Sequence, residues 1–218
     1  MIGVLFDLDG TLLDTLEDLT DGVNFALTQF GCPTRTIEEV RSAVGNGALQ
    51  LIRLSLPGTD HDPDANEVLR VYKNYYDAHC RIKTGPYPGV LNALHTIKEK
   101  YPVGIVSNKP DPAVQALCGD FFPGIYALGE TADCPRKPAP DMLQKAMNAL
   151  GVTSCIYVGD TEVDLLTAGN ANAKCLCVSW GFRDEAALKA AGAQYLCHRA
   201  EDLSQMIEEI VKEESYGK

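Results

Sequence analysis

Short apolar runs that stop at acidic or small residues alternate with longer stretches in which apolar positions recur every three or four residues. The first run, at 2–6, meets Asp7-Leu8-Asp9-Gly10 at once, as a buried parallel strand ending at a functional loop would read. Comparable runs recur at 103–106, 155–158, 175–178 and 194–197, with a weaker one at 125–127. Helical faces lie between them. Leu91, Leu94 and Ile97 mark one; Met142, Leu143, Ala146 and Leu150 a second. Leu165, Ala168 and Ala171 mark a third, and Leu203, Met206, Ile207 and Ile210 close the chain. This alternation predicts an α/β fold with a Rossmann-like parallel sheet core.

Almost a hundred residues separate the first run from the second, with no convincing strand between. Leu16, Leu19, Val23, Ala26, Leu27 and Phe30 form a helical stripe, and Thr36 with Glu39 has capping-box spacing. Further helical patterns cover 47–55 and 64–82, the latter carrying Val68, Val71, Tyr72, Tyr75 and Tyr76. Such a stretch is too long for a βα connection and reads as an inserted helical unit. The charged segment Lys212–Lys218 is expected to fray.

The 218 residues, 45% apolar and 22% charged, suffice for a buried core without disulfide or metal staples. Nineteen basic against thirty acidic residues give a net charge of -11, which argues against nucleic acid and anionic membranes as partners. A small anionic substrate stays compatible, because a bound cation inverts the local field. No leader-like segment and no apolar run of ~20 residues is present, so a cytoplasmic protein is expected. The eight cysteines contain no Cys-x-x-Cys pair and read as reduced, partly buried thiols.

The chemistry-bearing residues gather where strands end, the place where open α/β sheets bind ligands. Asp7 and Asp9 follow the first strand, and Ser107-Asn108-Lys109 the second. Lys137 precedes a helix in Arg-Lys-Pro-Ala-Pro. Asp160 and Asp164 follow the strand at 155–158, four apart at a helix start and hence on one face. Several carboxylates on one rim repel unless a cation neutralises them, and hard oxygen donors suit Mg²⁺. A lysine and a hydroxyl nearby supply donors for a phosphoryl group. Each segment also has a plainer reading. Asp-Gly is a turn dipeptide, Asp164 suits any first helical turn, and Ser107-Asn108 could cap the helix expected at 111–118. Trp180 and the Tyr72/Tyr75/Tyr76 cluster read as packing residues, Arg53 and Arg183 as solvated charges.

Taken in order, Phe-Asp-Leu-Asp-Gly-Thr-Leu-Leu-Asp-Thr at 6–15, Val-Ser-Asn-Lys at 106–109, Lys137 in Lys-Pro-Ala-Pro and Gly-Asp-Thr-Glu-Val-Asp at 159–164 resemble the four motifs of the haloacid dehalogenase-like superfamily of aspartate-nucleophile phosphatases. Softer features, Val44-Gly45-Asn46-Gly47, Pro88-Gly89-Val90 and Trp180-Gly181-Phe182-Arg183, point toward its phosphoglycolate phosphatase-like branch. The resemblance implies a catalytic core of residues 1–14 and 83–218 with a helical cap domain over 15–82, hinged near Asp14-Thr15 and Thr84-Gly85-Pro86. It also implies roles. Asp7 is the nucleophile that becomes an aspartyl phosphate, and Asp9 the general acid and base. Ser107 and the backbone around Asn108 bind phosphoryl oxygens, and Lys137 neutralises the nucleophile. Asp7, the Asp9 carbonyl and Asp160 hold Mg²⁺, with Asp164 mainly behind them. Gly45 and Asn46 are candidate substrate contacts, equally readable as a helix-to-helix turn.

The expected partner is a small phosphorylated metabolite, and the expected assembly a monomer or homodimer. Phosphoglycolate is the first candidate; a sugar phosphate, a nucleotide or pyrophosphate stays open, and a phosphosugar mutase is a weaker option. Two non-enzymatic alternatives are a receiver-type signalling module and a catalytically silent binding protein. A receiver would lack both the insertion and the Asp7/Asp9 pair.

Overall fold

A computed structural model describes residues 1–216. Strand β1 (Ile2–Phe6) runs through the centre of a six-stranded sheet, and β2 (Leu13–Asp14) and β3 (Gly85–Pro86) form a separate short ribbon. The remaining strands of the sheet are β4 (Val103–Pro110), β5 (Tyr126–Glu130), β6 (Ser154–Gly159), β7 (Lys174–Val178) and β8 (Tyr195–Cys197). The order is β5-β4-β1-β6-β7-β8, parallel throughout, with Val4 opposite both Val103 and Ile156. Val4 and Phe6 enter one apolar layer and Leu5 enters the other, which is why β1 reads as an unbroken apolar run.

Helices cover both faces. The helices α5 (Val90–Lys98), α6 (Asp111–Phe121) and α10 (Leu203–Tyr216) contribute Val90, Val114 and Ile207 to one layer. The other layer takes Met142, Leu143 and Ala146 from α7 (Asp141–Leu150) and Ala168 from α8 (Glu162–Asn170). A short α9 (Glu185–Ala190) lies between β7 and β8. This is the α/β Rossmann-like architecture that the periodicity predicts.

Between β2 and β3 come four helices, α1 (Leu16–Gln29), α2 (Ile37–Ala43), α3 (Ala48–Ser55) and α4 (Ala65–His79). Their apolar faces, Leu19, Val23, Leu51, Val68 and Tyr72 among them, join the same layer as Val4 and Phe6. At the start of α2, Glu39 N–H donates to Thr36 Oγ1 at 3.3 Å and Thr36 N–H to Glu39 Oε2 at 2.7 Å, the reciprocal cap expected there. The buried Asp18 carboxylate closes the insertion. It accepts from the backbone N–H groups of Ile82, Lys83 and Thr84 and from the Thr84 hydroxyl.

Several expectations need correction. The second strand does not end at 106 but continues to Pro110, so Ser107, Asn108 and Lys109 are buried strand residues, and Pro110 takes the N-cap position proposed for them. The weak strand extends to Glu130. The two-residue ribbon, too short to leave a pattern, pairs Leu13 with Pro86 and Asp14 with Gly85 at the expected hinges. The tail expected to fray continues α10 as far as Tyr216; residues 217 and 218 lie outside the described residues. No helix among the described residues is long and apolar enough to cross a membrane.

Candidate active site

Asp7 follows β1, Lys109 lies within β4 and Asp160 follows β6, three adjacent strands of the sheet. Parallel strands present their carboxyl ends on one edge, so residues about a hundred apart in sequence converge. Asp7, Asp9, Ser107, Asn108, Lys109 and Lys137 line one cavity of about 60 Å³. The wall opposite comes from the helical insertion, through Gly45, Leu51, Tyr72 and Tyr76. Asp160 and Asp164, both 0% exposed, lie behind that lining.

Asp7 and Asp9 face different lysines. Asp7 Oδ1 accepts from the Leu8 N–H at 2.7 Å and faces Lys137 Nζ at 3.0 Å. No donor among the described residues reaches its Oδ2. Asp9, divergent as extended geometry requires, is held by Lys109 Nζ at 2.9 Å and 3.1 Å from its two oxygens. Lys109 is expected at this strand end but without a role of its own. The phosphoryl contact is expected from Ser107 instead; β4 runs on through Lys109 and buries it.

Lys137 has a further partner in Asp164 Oδ1 at 2.8 Å, and Tyr157 Oη lies 2.9 Å away. Asn108 fixes the segment that carries Lys137. Its Oδ1 accepts from Lys137 N–H at 2.8 Å, and its Nδ2 donates to the Lys137 carbonyl and to that of Gly45. The Ser107 hydroxyl accepts from Lys109 N–H at 3.3 Å, and its own proton has no acceptor among the described residues. Gly45 lines the cavity, but Asn46 does not.

Asp7, Asp160 and Asp164 offer ligand oxygens within 4.8 Å of one another. Asp160 accepts from Thr11 Oγ1 at 2.9 Å and from Phe182 N–H at 2.8 Å, keeping capacity on both oxygens. Asp164 is more fully engaged. Oδ1 takes Lys137, and Oδ2 takes the N–H groups of Asp160 and Thr161 and the Thr161 hydroxyl. Gly10, at φ +80°, has to be glycine, because a Cβ there would collide with the Asp160 carboxylate.

Burial pushes the Asp7 carboxyl up to about 7 despite the opposing pull of Lys137, with Asp164 and Asp9 adding to the rise. Burial, then Asp164 and Asp7, raise Asp160 well above the usual carboxylate range. Burial works against the Lys137 charge, but Asp164 and Asp7 hold that ammonium above the usual lysine range. Three buried carboxylates facing one lysine leave excess negative charge. The all-oxygen donor set and that excess fit a hard divalent cation such as Mg²⁺.

Arg183 is not a solvated charge. It pairs with Glu162 at 2.9 Å, and its guanidinium donates to the carbonyls of Arg41 and Val44, at the end of α2. The Arg41 carbonyl otherwise accepts only a long bond from Val44 N–H at 3.4 Å, and a helix C-terminus favours a cation. Trp180 Nε1 donates to the Thr11 carbonyl, tying the same loop to the first motif. Tyr72 and Tyr76 are buried and stacked, as a packing role predicts, but Tyr76 Oη also accepts from Lys109 Nζ at 2.7 Å.

Comparison with known proteins identifies this arrangement. The family profile "Haloacid dehalogenase-like hydrolase" matches residues 4–178. The chain is 35% identical over 191 residues to phosphoglycolate phosphatase 1 of Pseudomonas aeruginosa, covering 82% of this chain and 70% of that protein. It is 34% identical over 192 residues to a phosphoglycolate phosphatase of Cereibacter sphaeroides, covering 84% and 87%. A crystal structure from Lactobacillus delbrueckii subsp. bulgaricus, whose phosphoglycolate phosphatase designation is itself provisional, superposes with a TM-score of 0.87 at 38% identity, covering 94% of this chain and 97% of that one. The chain belongs to the haloacid dehalogenase-like hydrolases, as a phosphatase of the phosphoglycolate phosphatase type.

Proposed function

We propose that this phosphatase hydrolyses a small phosphomonoester, with 2-phosphoglycolate as first candidate, through a covalent intermediate on Asp7. The observation that carries this reading is the asymmetry of the Asp7 carboxylate. Oδ1 is fixed by Leu8 and Lys137, while no donor among the described residues reaches Oδ2, which is left to attack. Attack forms the Oδ2–phosphorus bond and breaks the bond to the leaving oxygen, which Asp9 protonates. Asp9 then takes a proton from the water that opens the acyl phosphate.

Ser107 donates its hydroxyl proton to a phosphoryl oxygen, and Lys137 offsets the charge shared between nucleophile and phosphoryl group. Asp7, the Asp9 carbonyl and Asp160 are the residues that would hold Mg²⁺; when bound, the ion supplies charge neutralisation and a template for the phosphoryl oxygens. Asp164 orients Lys137 and the turn that carries Asp160 rather than lending an oxygen of its own. Residues 15–82 act as a cap that closes over the leaving group and excludes water, pivoting at the β2–β3 ribbon.

The test is phosphate release from 2-phosphoglycolate by the purified protein in Mg²⁺, with Asp7→Asn and EDTA as controls. Release that both controls abolish is expected. Release by Asp7→Asn at the wild-type rate would overturn the nucleophile assignment, and release unaffected by EDTA would overturn the metal.

A further inference from the structure

Lys109 is a buried cation that the phosphoryl-transfer roles above leave unused. Its side chain is 3% exposed, and its three N–H donors go to both oxygens of Asp9 and to Tyr76 Oη. The ammonium also lies over the Tyr76 ring, 4.6 Å from its centroid. Tyr76 accepts from Lys109, and its own hydroxyl proton has no acceptor among the described residues, although the residue lines the cavity.

Asp9 hands its proton to the leaving oxygen, so that oxygen has to come within hydrogen-bond distance of a carboxylate already held on both sides by Lys109. The carbon chain of the leaving alcohol therefore lies against Lys109 and Tyr76. The phosphoryl end is separately provided for, by Lys137 and Ser107. The leaving-group end thus offers the positive charge of one ammonium, whose N–H groups Asp9 and Tyr76 already share, and one free hydroxyl proton from Tyr76, a charge and a donor suited to a carboxylate. Lys73 and Asp77 of α4 line the same cavity with opposite charges, so neither sign dominates its rim.

We propose that Lys109 and Tyr76 form the subsite that receives a second anionic group on the leaving alcohol, so that the pair sets substrate preference from one core strand and one cap helix. The inference rests on the phosphatase reading of this cavity. Because Tyr76 comes from the insertion, the subsite is complete only when cap and core meet. A substrate with a carboxylate two bonds from the leaving oxygen draws the two parts together. One without it makes the phosphoryl contacts but leaves the Tyr76 proton unused.

The experiment compares kcat/KM for 2-phosphoglycolate and ethyl phosphate, esters of similar size that differ in the carboxylate, in wild type, Lys109→Met and Tyr76→Phe. Taking the ratio of the two substrates cancels whatever Lys109→Met costs through Asp9. The wild type should favour phosphoglycolate. That preference should fall about tenfold or more in Lys109→Met and by a smaller factor in Tyr76→Phe, which keeps the ring and its stacking. Competitive inhibition by glycolate should weaken in the same order. A wild type without preference, or a preference unchanged in both variants, overturns the inference while leaving the phosphatase reading intact. Turnover of neither ester overturns both. Should Lys109→Met not fold, Tyr76→Phe decides: an unchanged ratio there refutes the subsite.

Discussion

Lys137 Nζ lies 3.0 Å from Asp7 Oδ1 with its side chain only 2% exposed, so the nucleophile and its counter-charge share one dry environment. The same ammonium holds Asp164 at 2.8 Å. Removing it leaves Asp7 and Asp164 without the lysine that pairs with both. Lys137→Met is therefore expected to destabilise the metal-free protein by about 3–5 kcal/mol, read from urea unfolding in EDTA. A loss below about 1 kcal/mol would mean that these carboxylates are neutral in the folded protein.

The position of the Asp7 carboxyl near 7 gives a signed pH dependence. The group ionises with a value of 3.8 in an unfolded chain and about 7 in the folded one, so the folded state binds more protons between those limits. Its contribution to stability is complete below about pH 4 and is lost as pH rises through about 7. A divalent cation takes over from the proton, and metal binding should release it. Thermal unfolding with and without Mg²⁺ should then give a larger Mg²⁺-induced rise in Tm at about pH 8 than at about pH 6. A rise independent of pH would argue that Asp7 is ionised throughout.

Arg183 joins the two parts of the molecule by pairing with Glu162 beside Asp160 and donating to the carbonyls of Arg41 and Val44. Hydrogen bonds from a charged group contribute about 1.5–3 kcal/mol, which converts to tenfold or more. Arg183→Ala is expected to raise KM by about that factor, since the closed form loses its clasp. Steady-state kinetics on the preferred ester decide this; an unchanged KM would show that the clasp is slack.

Asp18 is a structural carboxylate. It satisfies three consecutive backbone N–H groups, those of Ile82, Lys83 and Thr84, where the insertion returns to the core. Asp18→Ala should cost about 2–3 kcal/mol of stability by urea unfolding while leaving the proposed Mg²⁺ dependence of activity in place. An enzyme as stable as wild type would mean that water replaces the carboxylate.

What the sequence disclosed depended on periodicity and on local motifs. The β1 run, the Thr36 cap and the clustering of Asp7, Lys137, Asp160 and Asp164 are consequences of short-range patterns or of a parallel sheet bringing strand ends together. The role of Lys109 is not legible locally, because nothing in the sequence separates a strand that stops at Val106 from one that continues to Pro110. That extension depends on pairing with β5, where Pro110 lies opposite Glu130 beyond an irregular register. Arg183 reads as a solvated charge for the same reason. Its acceptors, Arg41 and Val44, lie about 140 residues earlier in the chain, and exposed arginines with no local partner look alike in sequence. Asn46 differs again: its Gly-rich setting resembles a binding loop, and Gly45 and Gly47 on either side line the cavity while Asn46 itself does not.

Two adjacent residues serve opposite ends of the catalytic cycle. Phe182 N–H holds Asp160 Oδ2 at 2.8 Å, and the next side chain, that of Arg183, grips the insertion. Any motion that draws Arg183 away from the α2 terminus also pulls on the peptide that steadies Asp160. On the proposed reading, letting product out and slackening the residues that would hold Mg²⁺ are thereby one mechanical event. An enzyme that holds Mg²⁺ there as proposed should exchange it chiefly while open, so that each turnover would carry a small chance of losing the ion and starvation for magnesium would silence a busy molecule sooner than an idle one.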